Sequence, residues 1–363
     1  FEVEARLQEI LDIPVFHDDQ HGTAIIASAG FVNALEVTNR KIEDTTIVFS
    51  GAGAAAISCT RLYQSFGAKR ENIVMLDSKG VIRNDRENLT SQKAEFATYR
   101  KIDTLDEAMK DADVFIGLST SDIVNPQMLL SMANNPIVFA MANPDPEIKY
   151  NLAVKTRDDI IMATGRSDTP NQVNNVLGFP FIFRGALDVR ATSINEEMKK
   201  AAVIALADLA KEPVPEQVNI AYGETRLTFG KDYIIPKPFD PRLIAAIPPA
   251  VAKAAIESGV ALAPITDWEH YEETLLERMG SDNKIVRLLF NRAKLNPKRV
   301  VFAEADQLNV LKAAQIALEE GIATPILLGR RDEIERLMEE LEFDEEVLII
   351  DPKADESTLQ KNK

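Results

Sequence analysis

A glycine-rich turn between a strand and a helix constrains the fold of this chain more than any other feature. Residues 45–50 are β-branched and apolar, and residues 54–66 have the composition of a helix. The small residues between them leave backbone N–H groups free at a helix start, where the pyrophosphate of a dinucleotide binds. The alternative is an ordinary strand–helix unit in which the glycines only pack. We predict a dinucleotide site at Gly51, Ala52, Gly53, Ala54, Ala55 and Ala56.

The end of the following strand bears on which dinucleotide binds. Residues 72–77 are predicted to form that strand, and Asp77 lies 26 residues after Gly51. An acid about 20 residues beyond the glycines typically binds the ribose of NAD. Ser78 and Lys79 follow immediately, and the lysine offers a partner for the 2′-phosphate of NADP. The residues alone leave both cofactors open.

Strands and helices alternate along most of the chain. Predicted strands cover residues 13–16, 45–50, 72–77, 113–118, 136–142 and 159–163. Predicted helices cover residues 2–11, 23–36, 54–66, 104–110, 126–133, 172–186, 194–211 and 242–259, the last interrupted by Pro248 and Pro249. This order predicts an α/β fold with a doubly wound parallel sheet of the Rossmann type. A second βαβ pattern begins near residue 284, so we expect domains at 1–265 and 284–363, joined by a helical connector at 266–283.

Composition excludes several classes of protein. The chain has 363 residues and a net charge of −16, which argues against nucleic acid or an anionic membrane as a partner. It contains no apolar run of 18 residues that could span a bilayer. The single cysteine, Cys59, excludes an intrachain disulfide framework and fits a reducing cytoplasm. We expect Cys59 to be a buried structural thiol rather than a nucleophile.

The densest polar cluster is the segment Phe16-His-Asp-Asp-Gln-His-Gly-Thr-Ala24. Asp18 or Asp19 could bind a hard divalent cation through oxygen. His17 and His21 are spaced for zinc if they lie on a helix, although His270 is the only other histidine. A third interpretation is that the acids cap the helix that begins near Thr23. The carboxylate interpretation is favoured.

Three asparagines follow predicted strands and are expected at the same edge of the sheet. Asn143 ends the strand 136–142, and Asn174 and Asn175 are expected to enter the helix 172–186. Buried amides need hydrogen-bond partners. Their convergence with the acid cluster favours a substrate that carries carboxylates.

These segments together resemble the malic enzyme family, in family order over about residues 1–265. The resemblance depends on residues 16–24, 49–56, 77–80, 113–117, 139–144 and 170–175. The His-Asp-Asp-Gln-His variant resembles the bacterial multidomain type, in which a phosphotransacetylase-like domain follows. Residues 299–304 and 320–329 resemble the opening of that domain.

The resemblance implies oxidation of L-malate and its decarboxylation to pyruvate and CO2, with reduction of NADP rather than NAD and with Mg2+ or Mn2+. It implies that Asp19 is a metal ligand and that Asp18 lies near the catalytic lysine. It also implies that Asn143 and Asn175 bind the substrate carboxylate and that Asn174 serves the cofactor side. The family's remaining metal ligands, base lysine and acid tyrosine are expected upstream of Phe1, and the chain is expected to extend in both directions.

The resemblance further implies acetyl-CoA as an effector at the second domain and assembly into a homo-oligomer. Two other classes of function are alternatives to malic enzyme activity. A non-catalytic sensor of nucleotide or acyl-CoA has no need for a metal-binding acid beside a carboxylate site. Another Rossmann dehydrogenase has no need for the His17–His21 segment ahead of the glycine turn.

Overall fold

The chain divides into two compact units in its computed structural model, which describes residues 2–278, 290, 292–341 and 343–352. The first unit comprises Phe1–Glu212 and Thr228–Met279, and the second comprises Pro213–Leu227 and Gly280–Lys363. Residues 279–289, which belong to the predicted connector and the start of the predicted second domain, lie outside the described residues. Residues 213–227 group with the second unit. The predicted domain limits at 265 and 284 stay predictions.

The first unit is built on a seven-stranded sheet in the order β3-β2-β1-β4-β5-β6-β7. All neighbouring strands are parallel except the short β3, which is antiparallel to β2. The strand order reverses between β1 and β4, and ligands of such sheets bind beyond the carboxyl ends at this point. The strands are β1 Ile47–Ser50, β2 Ile73–Asp77, β3 Gly80–Val81, β4 Val114–Gly117, β5 Ile137–Ala140, β6 Ile161–Thr164 and β7 Asn171–Gln172.

Helices cover both faces of this sheet. They are α1 Glu2–Ile10, α2 Thr23–Val37, α3 Ala54–Ser65, α4 Ser91–Ala94, α5 Leu105–Met109, α6 Pro126–Ser131, α7 Tyr150–Thr156, α8 Phe179–Asp188, α9 Glu196–Leu209, α11 Leu243–Glu257 and α12 Trp268–Arg278, with α10 Glu216–Tyr222 in the second unit. A π-helical turn, Asp18–Gly22, leads into α2. Among the described residues, no helix combines the length and apolar character needed to cross a bilayer.

The core explains why the central strands read as continuous apolar runs. Ile47 and Phe49 of β1 belong to one buried cluster, with α2, α3, α9 and α11. Val48 points to the opposite face and belongs to a second buried cluster, with α5, α6 and α7. Both faces of each strand are therefore covered, as the predicted doubly wound fold requires. The predicted fold class is confirmed.

The second unit has a small parallel sheet and a core of its own. Its strands, in the order β10-β9-β8, are β8 Lys298–Ala303, β9 Ala323–Leu328 and β10 Leu348–Ile350. Two amphipathic helices, α13 Leu308–Glu319 and α14 Arg331–Glu340, pack on them. Leu311, Leu327 and Ile334 are fully buried together. The predicted βαβ pattern is present.

Three local predictions are wrong. Residues 13–16 form no strand, and Ile13 is exposed. The predicted helix 172–186 begins only at Phe179, because residues 171–177 form β7 and a 3₁₀ turn. Pro248 and Pro249 lie inside the continuous α11 instead of interrupting it.

Candidate cofactor and substrate site

The turn after β1 requires glycine at one position. Gly51 has a φ of +119°, and a Cβ atom there would lie 2.5 Å from the carbonyl oxygen of Leu118. The Gly51 N–H donates to the carbonyl oxygen of Leu76 at 2.9 Å. The turn is therefore pressed against the ends of β2 and β4. A side chain at this position would strain the backbone and displace that contact.

The start of α3 is open. A Cβ atom on Gly53 would meet no atom of the described residues within 4 Å. Among the described residues, no side chain caps the first turn of α3, whose first helical residue is Ala54. Ala56 is buried at the contact between helix and sheet. Free N–H groups at a helix start attract phosphate, so this geometry suits a pyrophosphate.

A cavity of about 700 Å³ lies between the glycine turn and the end of β2. Its lining includes Gly51, Ala52, Gly53, Asp77, Ser78, Lys93 and Ser119. The structure thus brings the predicted turn and the predicted acid to one cavity. Lys79 contacts Asp77 through its backbone N–H, at 3.0 Å, rather than through its side chain.

Two cationic side chains form ion pairs with the carboxylate of Asp77. Arg86 donates to both carboxylate oxygens at 3.1 Å, and Lys93 Nζ donates to Oδ2 at 2.7 Å. Burial alone would raise the pKa of Asp77, but the hydrogen bonds from Arg86 and Lys93 outweigh it and lower the pKa to about 2. Sequence reasoning missed both partners, because their spacing from Asp77 follows no known pattern. The carboxylate of Asp77, at the predicted ribose position, is therefore already paired with a surplus of positive charge.

A second cavity, of about 720 Å³, gathers five predicted site residues. Asp19, Asn143, Asn174 and Asn175 all line it, although 155 residues separate Asp19 from Asn174 in the chain. Ala55, from the first turn of α3, lines it as well. The carboxyl ends of parallel strands meet at one edge of a sheet, which brings the three asparagines to the acid.

The π-helical turn places its two acids differently. Asp19 lines the cavity, whereas Asp18 is turned toward Asn175, whose Nδ2 donates to Asp18 Oδ2 at 3.2 Å. Thr23 Oγ1 donates to Asn175 Oδ1 at 3.2 Å, which completes the orientation of that amide. Burial raises the pKa of Asp18, against the lowering effect of the Asn175 hydrogen bond. Asp18 Oδ1 is buried without a hydrogen-bond partner among the described residues.

Neither alternative interpretation of the acid cluster holds. His21 does not face a metal site with His17: its Nε2 lies 2.9 Å from Glu4 Oε1, and its Nδ1 lies 3.2 Å from Lys199 Nζ. Burial lowers the pKa of His21 and Lys199 lowers it further, so the neutral ring can accept from the lysine. No side chain caps α2 at its N-terminus in the described part of the chain. The helix-capping interpretation is therefore wrong as well.

The described residues supply part of a site for a hard cation. Within the described ranges, no group of three His, Cys, Asp or Glu side chains is arranged to hold a metal ion. The carboxylate of Asp19 faces the cavity, and Oδ1 of Asp18 is a buried acceptor without a donor among the described residues. Carboxylate oxygens suit Mg2+ or Mn2+. Asp19 therefore fits such an ion, with further ligands needed from elsewhere.

The asparagines differ in their local roles. Asn174 begins the 3₁₀ turn Asn175–Leu177, and its side chain accepts from the N–H of Val176 at 3.0 Å. Asn143 follows β5 and lines the cavity beside Pro144. Arg166, which lies two residues after β6, lines the same cavity and pairs with Asp168 through two contacts of 2.8 Å. Sequence reasoning did not single out Arg166, although it follows a predicted strand end.

Cys59 is fully buried, and burial raises the pKa of its thiol to about 12. A thiol with that pKa stays protonated at neutral pH and cannot act as a nucleophile. The prediction of a structural thiol is confirmed.

Residues 20–222, more than half of the chain, match the family model described as malic enzyme, NAD binding domain. Residues 284–362 match the model described as phosphate acetyl/butaryl transferase.

Similar proteins come from several organisms. An NADP-dependent malic enzyme of Haemophilus influenzae is 51% identical over 346 residues, covering 94% of this chain and 45% of that protein. An NAD-dependent malic enzyme of Rhizobium meliloti is 50% identical, covering 92% of this chain and 44% of that protein. The crystal structure of Entamoeba histolytica malic enzyme matches with a TM-score of 0.70 and 36% identity, covering 80% of this chain and 59% of that one. The chain thus spans about 45% of the length of these two curated relatives.

Proposed function

The chain belongs to the malic enzyme family, and we propose that it is the cofactor-binding part of an enzyme that oxidises and decarboxylates L-malate. The reaction removes a hydride from C2 and the C2 hydroxyl proton, releases the carboxylate next to C3 as CO2, and returns one proton to C3 of the resulting enolate. NADP accepts the hydride, and the product is pyruvate. The observation that carries the proposal is the cavity shared by Asp19, Asn143 and Asn175 beside the glycine turn.

The residues of this cavity suit a dicarboxylate. The side-chain amide of Asn143 offers N–H donors to the substrate carboxylate, whereas the amide of Asn175 donates to Asp18 and would share its N–H groups with the substrate. Asn175 is oriented by Asp18 and Thr23, so its amide is held in place before substrate arrives. Preorganised donors bind charged groups better than mobile ones.

We propose that Asp19 helps to hold Mg2+ or Mn2+ and that Asp18 supports that position. When bound, such an ion supplies Lewis-acid stabilisation of the enolate that decarboxylation leaves. Asp18 Oδ1 is a buried acceptor that has no partner among the described residues, which suits a position next to a cationic group. In the family, a lysine supplied from upstream is the group expected there.

The surroundings of Asp77 favour NADP over NAD in this proposal. A free acid would hydrogen-bond the 2′-hydroxyl of NAD and repel the 2′-phosphate of NADP. Asp77 is instead paired with Arg86 and Lys93. Lys93 lines the cavity between the glycine turn and the end of β2, which we call the cofactor cavity. The two cations outnumber the one acid, so the site attracts an additional phosphate.

The test uses the full-length protein with L-malate, NADP and Mn2+, followed by absorbance of the reduced nicotinamide. We expect reduction that depends on malate and metal, and severe loss of it in N143A and N175A. N151A, on the exposed face of α7, is the matched control and should retain the wild-type rate. Absence of reduction with malate, together with reduction by another hydroxy or amino acid, would exclude the proposal.

The second unit is proposed to be regulatory, with acetyl-CoA as the effector. Its match to a phosphate acetyl/butaryl transferase model supports recognition of an acyl-CoA. A titration of acetyl-CoA into the malate assay should change the rate. We also propose a homo-oligomer located in the cytoplasm, which sedimentation and cell fractionation would test.

A further inference from the structure

Glu147 is a buried acid that the proposed chemistry does not use. Its exposed fraction is 0%, and it follows β5 by seven residues. No salt bridge reaches it within the part of the chain that the structure describes. An acid so placed is costly unless donors satisfy it.

Backbone N–H groups supply those donors, one to each oxygen. Ser119 N–H donates to Oε1 at 3.1 Å, and Ala142 N–H donates to Oε2 at 3.0 Å. Burial raises the pKa of Glu147, and the two backbone donors oppose the rise. Two donors facing two acceptor oxygens is the arrangement that a carboxylate satisfies and a carboxamide does not.

The fold keeps a space open for this carboxylate. A Cβ atom on Gly117, the last residue of β4, would lie 2.2 Å from Glu147 Cδ and 2.5 Å from both oxygens. Gly117 therefore lets the acid reach the ends of β4 and β5. The main chain of Glu147 adds to the connection, because its carbonyl oxygen accepts from Val124 N–H at 3.0 Å.

Each of the two backbone contacts belongs to a different cavity. Ser119 lines the cofactor cavity, and its hydroxyl lies 2.9 Å from that of Ser50, which precedes the glycine turn. Ala142 immediately precedes Asn143 and lines the cavity that contains Asp19, Asn143 and Asn175, which we call the substrate cavity. One carboxylate therefore holds a wall of both cavities.

We propose that Glu147 is a positioning residue. It fixes the position of the loop at Ser119, which lines the cofactor cavity, relative to the side chain of Asn143, which lines the substrate cavity. This inference rests on the proposed malic enzyme activity for its substrate side only. Hydride transfer requires the reacting carbon and the nicotinamide ring within contact distance, so a shift of either wall lowers the rate.

The test compares E147Q, G117A and D113N in the full-length protein. E147Q replaces one acceptor by a donor that faces a backbone N–H, and G117A displaces the unchanged carboxylate. D113N is the matched control, because Asp113 Oδ2 also accepts a backbone N–H, from Thr46 at 2.8 Å, but at the opposite edge of the sheet. The measurements are kcat and KM for malate, the Kd of NADPH from nicotinamide fluorescence, and Tm.

We expect E147Q and G117A each to lower kcat/KM for malate by about tenfold or more, and to weaken NADPH binding severalfold. D113N should lower Tm at least as much while leaving both values within about twofold of wild type. The double variant E147Q/G117A should lose no more kcat/KM or NADPH affinity than the more impaired single variant, because both changes break the same contacts. If one single variant is not recovered folded, the other carries the same test.

Wild-type kinetics and NADPH binding in E147Q, or losses in D113N of equal size at equal Tm, would overturn the inference. Failure of the wild-type protein to oxidise malate is a different result: it contradicts the proposed function. The NADPH measurement then still tests the positioning of Ser119.

Discussion

The pairing of Asp77 shows how a single side chain can reverse an expectation drawn from its position. An acid at the end of β2 typically indicates NAD. Here Arg86 and Lys93 hold that acid from the segment after β3, and the local charge becomes positive. Relatives with both NADP and NAD in their names match this chain at about 50% identity. Cofactor choice therefore has to be decided by such contacts rather than by overall similarity.

Replacing Lys93 tests the cofactor choice. K93A should raise the KM for NADP by about tenfold and change that for NAD little, because a charge-assisted contact to the 2′-phosphate is lost. Steady-state kinetics with both cofactors measure the ratio. K69A, whose lysine makes only an exposed 3.8 Å pair with Asp44, is the control. An equal rise of KM for the two cofactors would contradict a role at the phosphate.

The lowered pKa of Asp77 predicts a pH dependence of stability. The folded-state value of about 2 lies below the ordinary 3.8, so stabilisation is present above pH 3.8 and is lost as pH falls toward 2. D77N should therefore cost about 2 kcal/mol in the free energy of unfolding at neutral pH. Denaturant unfolding without cofactor should show that difference shrinking between pH 3.8 and 2. A difference independent of pH in that range would rule out the ion pairs as its cause.

At the scale of elements, the π-helical turn that carries Asp18 and Asp19 is held by two helices of the first unit. Glu4 of α1 accepts from His17 N–H at 3.0 Å and from Gln20 Nε2 at 2.9 Å. Lys199 of α9 contacts the other side of His21. π-Helical turns are rare and occur often at functional sites, where neighbouring contacts must hold them. The helices thus decide where the acids point.

Removing the α1 contact should loosen this turn. E4A leaves buried donors unpaired, so we expect a loss of about 1.5–3 kcal/mol in unfolding free energy. The Mn2+ concentration for half-maximal activity should rise severalfold, because Asp19 is held less firmly. E9A is the control, since Glu9 lies on the same helix but makes an exposed pair with Arg6. Unchanged metal dependence in E4A would show that the turn holds its shape without α1.

At the scale of the whole molecule, the chain contains separate hydrophobic cores for its two units. The larger clusters lie on either face of the seven-stranded sheet, and a third cluster lies in the second unit. The predicted cofactor residues all belong to the first unit. Ligand binding stabilises the structure that contains the binding site.

Hydrogen exchange measured with and without NADPH tests this assignment. At a cofactor concentration of about 100 times Kd, stabilisation of about 2.7 kcal/mol is expected. Amides of β1, α3 and β2 should exchange more slowly, whereas β8 and β9 serve as controls within the same chain. Protection in β8 and β9 equal to that in β1 would contradict a cofactor site confined to the first unit.

Features that depend on neighbours along the chain can be predicted from the amino-acid sequence alone. The order of strands and helices, the glycine turn at Gly51 and the buried helix α2 follow from local periodicity and backbone requirements, and the structure agrees with them. The same reasoning placed Asn143 and Asn175 at one sheet edge, because parallel strands end together. Short segments were predicted poorly: residues 13–16 are apolar, but no strand of the described sheet pairs with them.

Contacts between side chains that are distant in sequence depend on how the elements pack. Three sets of contacts require separate elements to meet. They are the ion pairs of Asp77 with its two cations, the contacts of Glu4 and Lys199 with His21, and the position of the Glu147 carboxylate beside Gly117. Hydrogen bonds and ion pairs act over about 3 Å, whereas sequence patterns constrain an element only to within a residue or two. The chemistry of the site is therefore set by the packing that brings these groups within that distance.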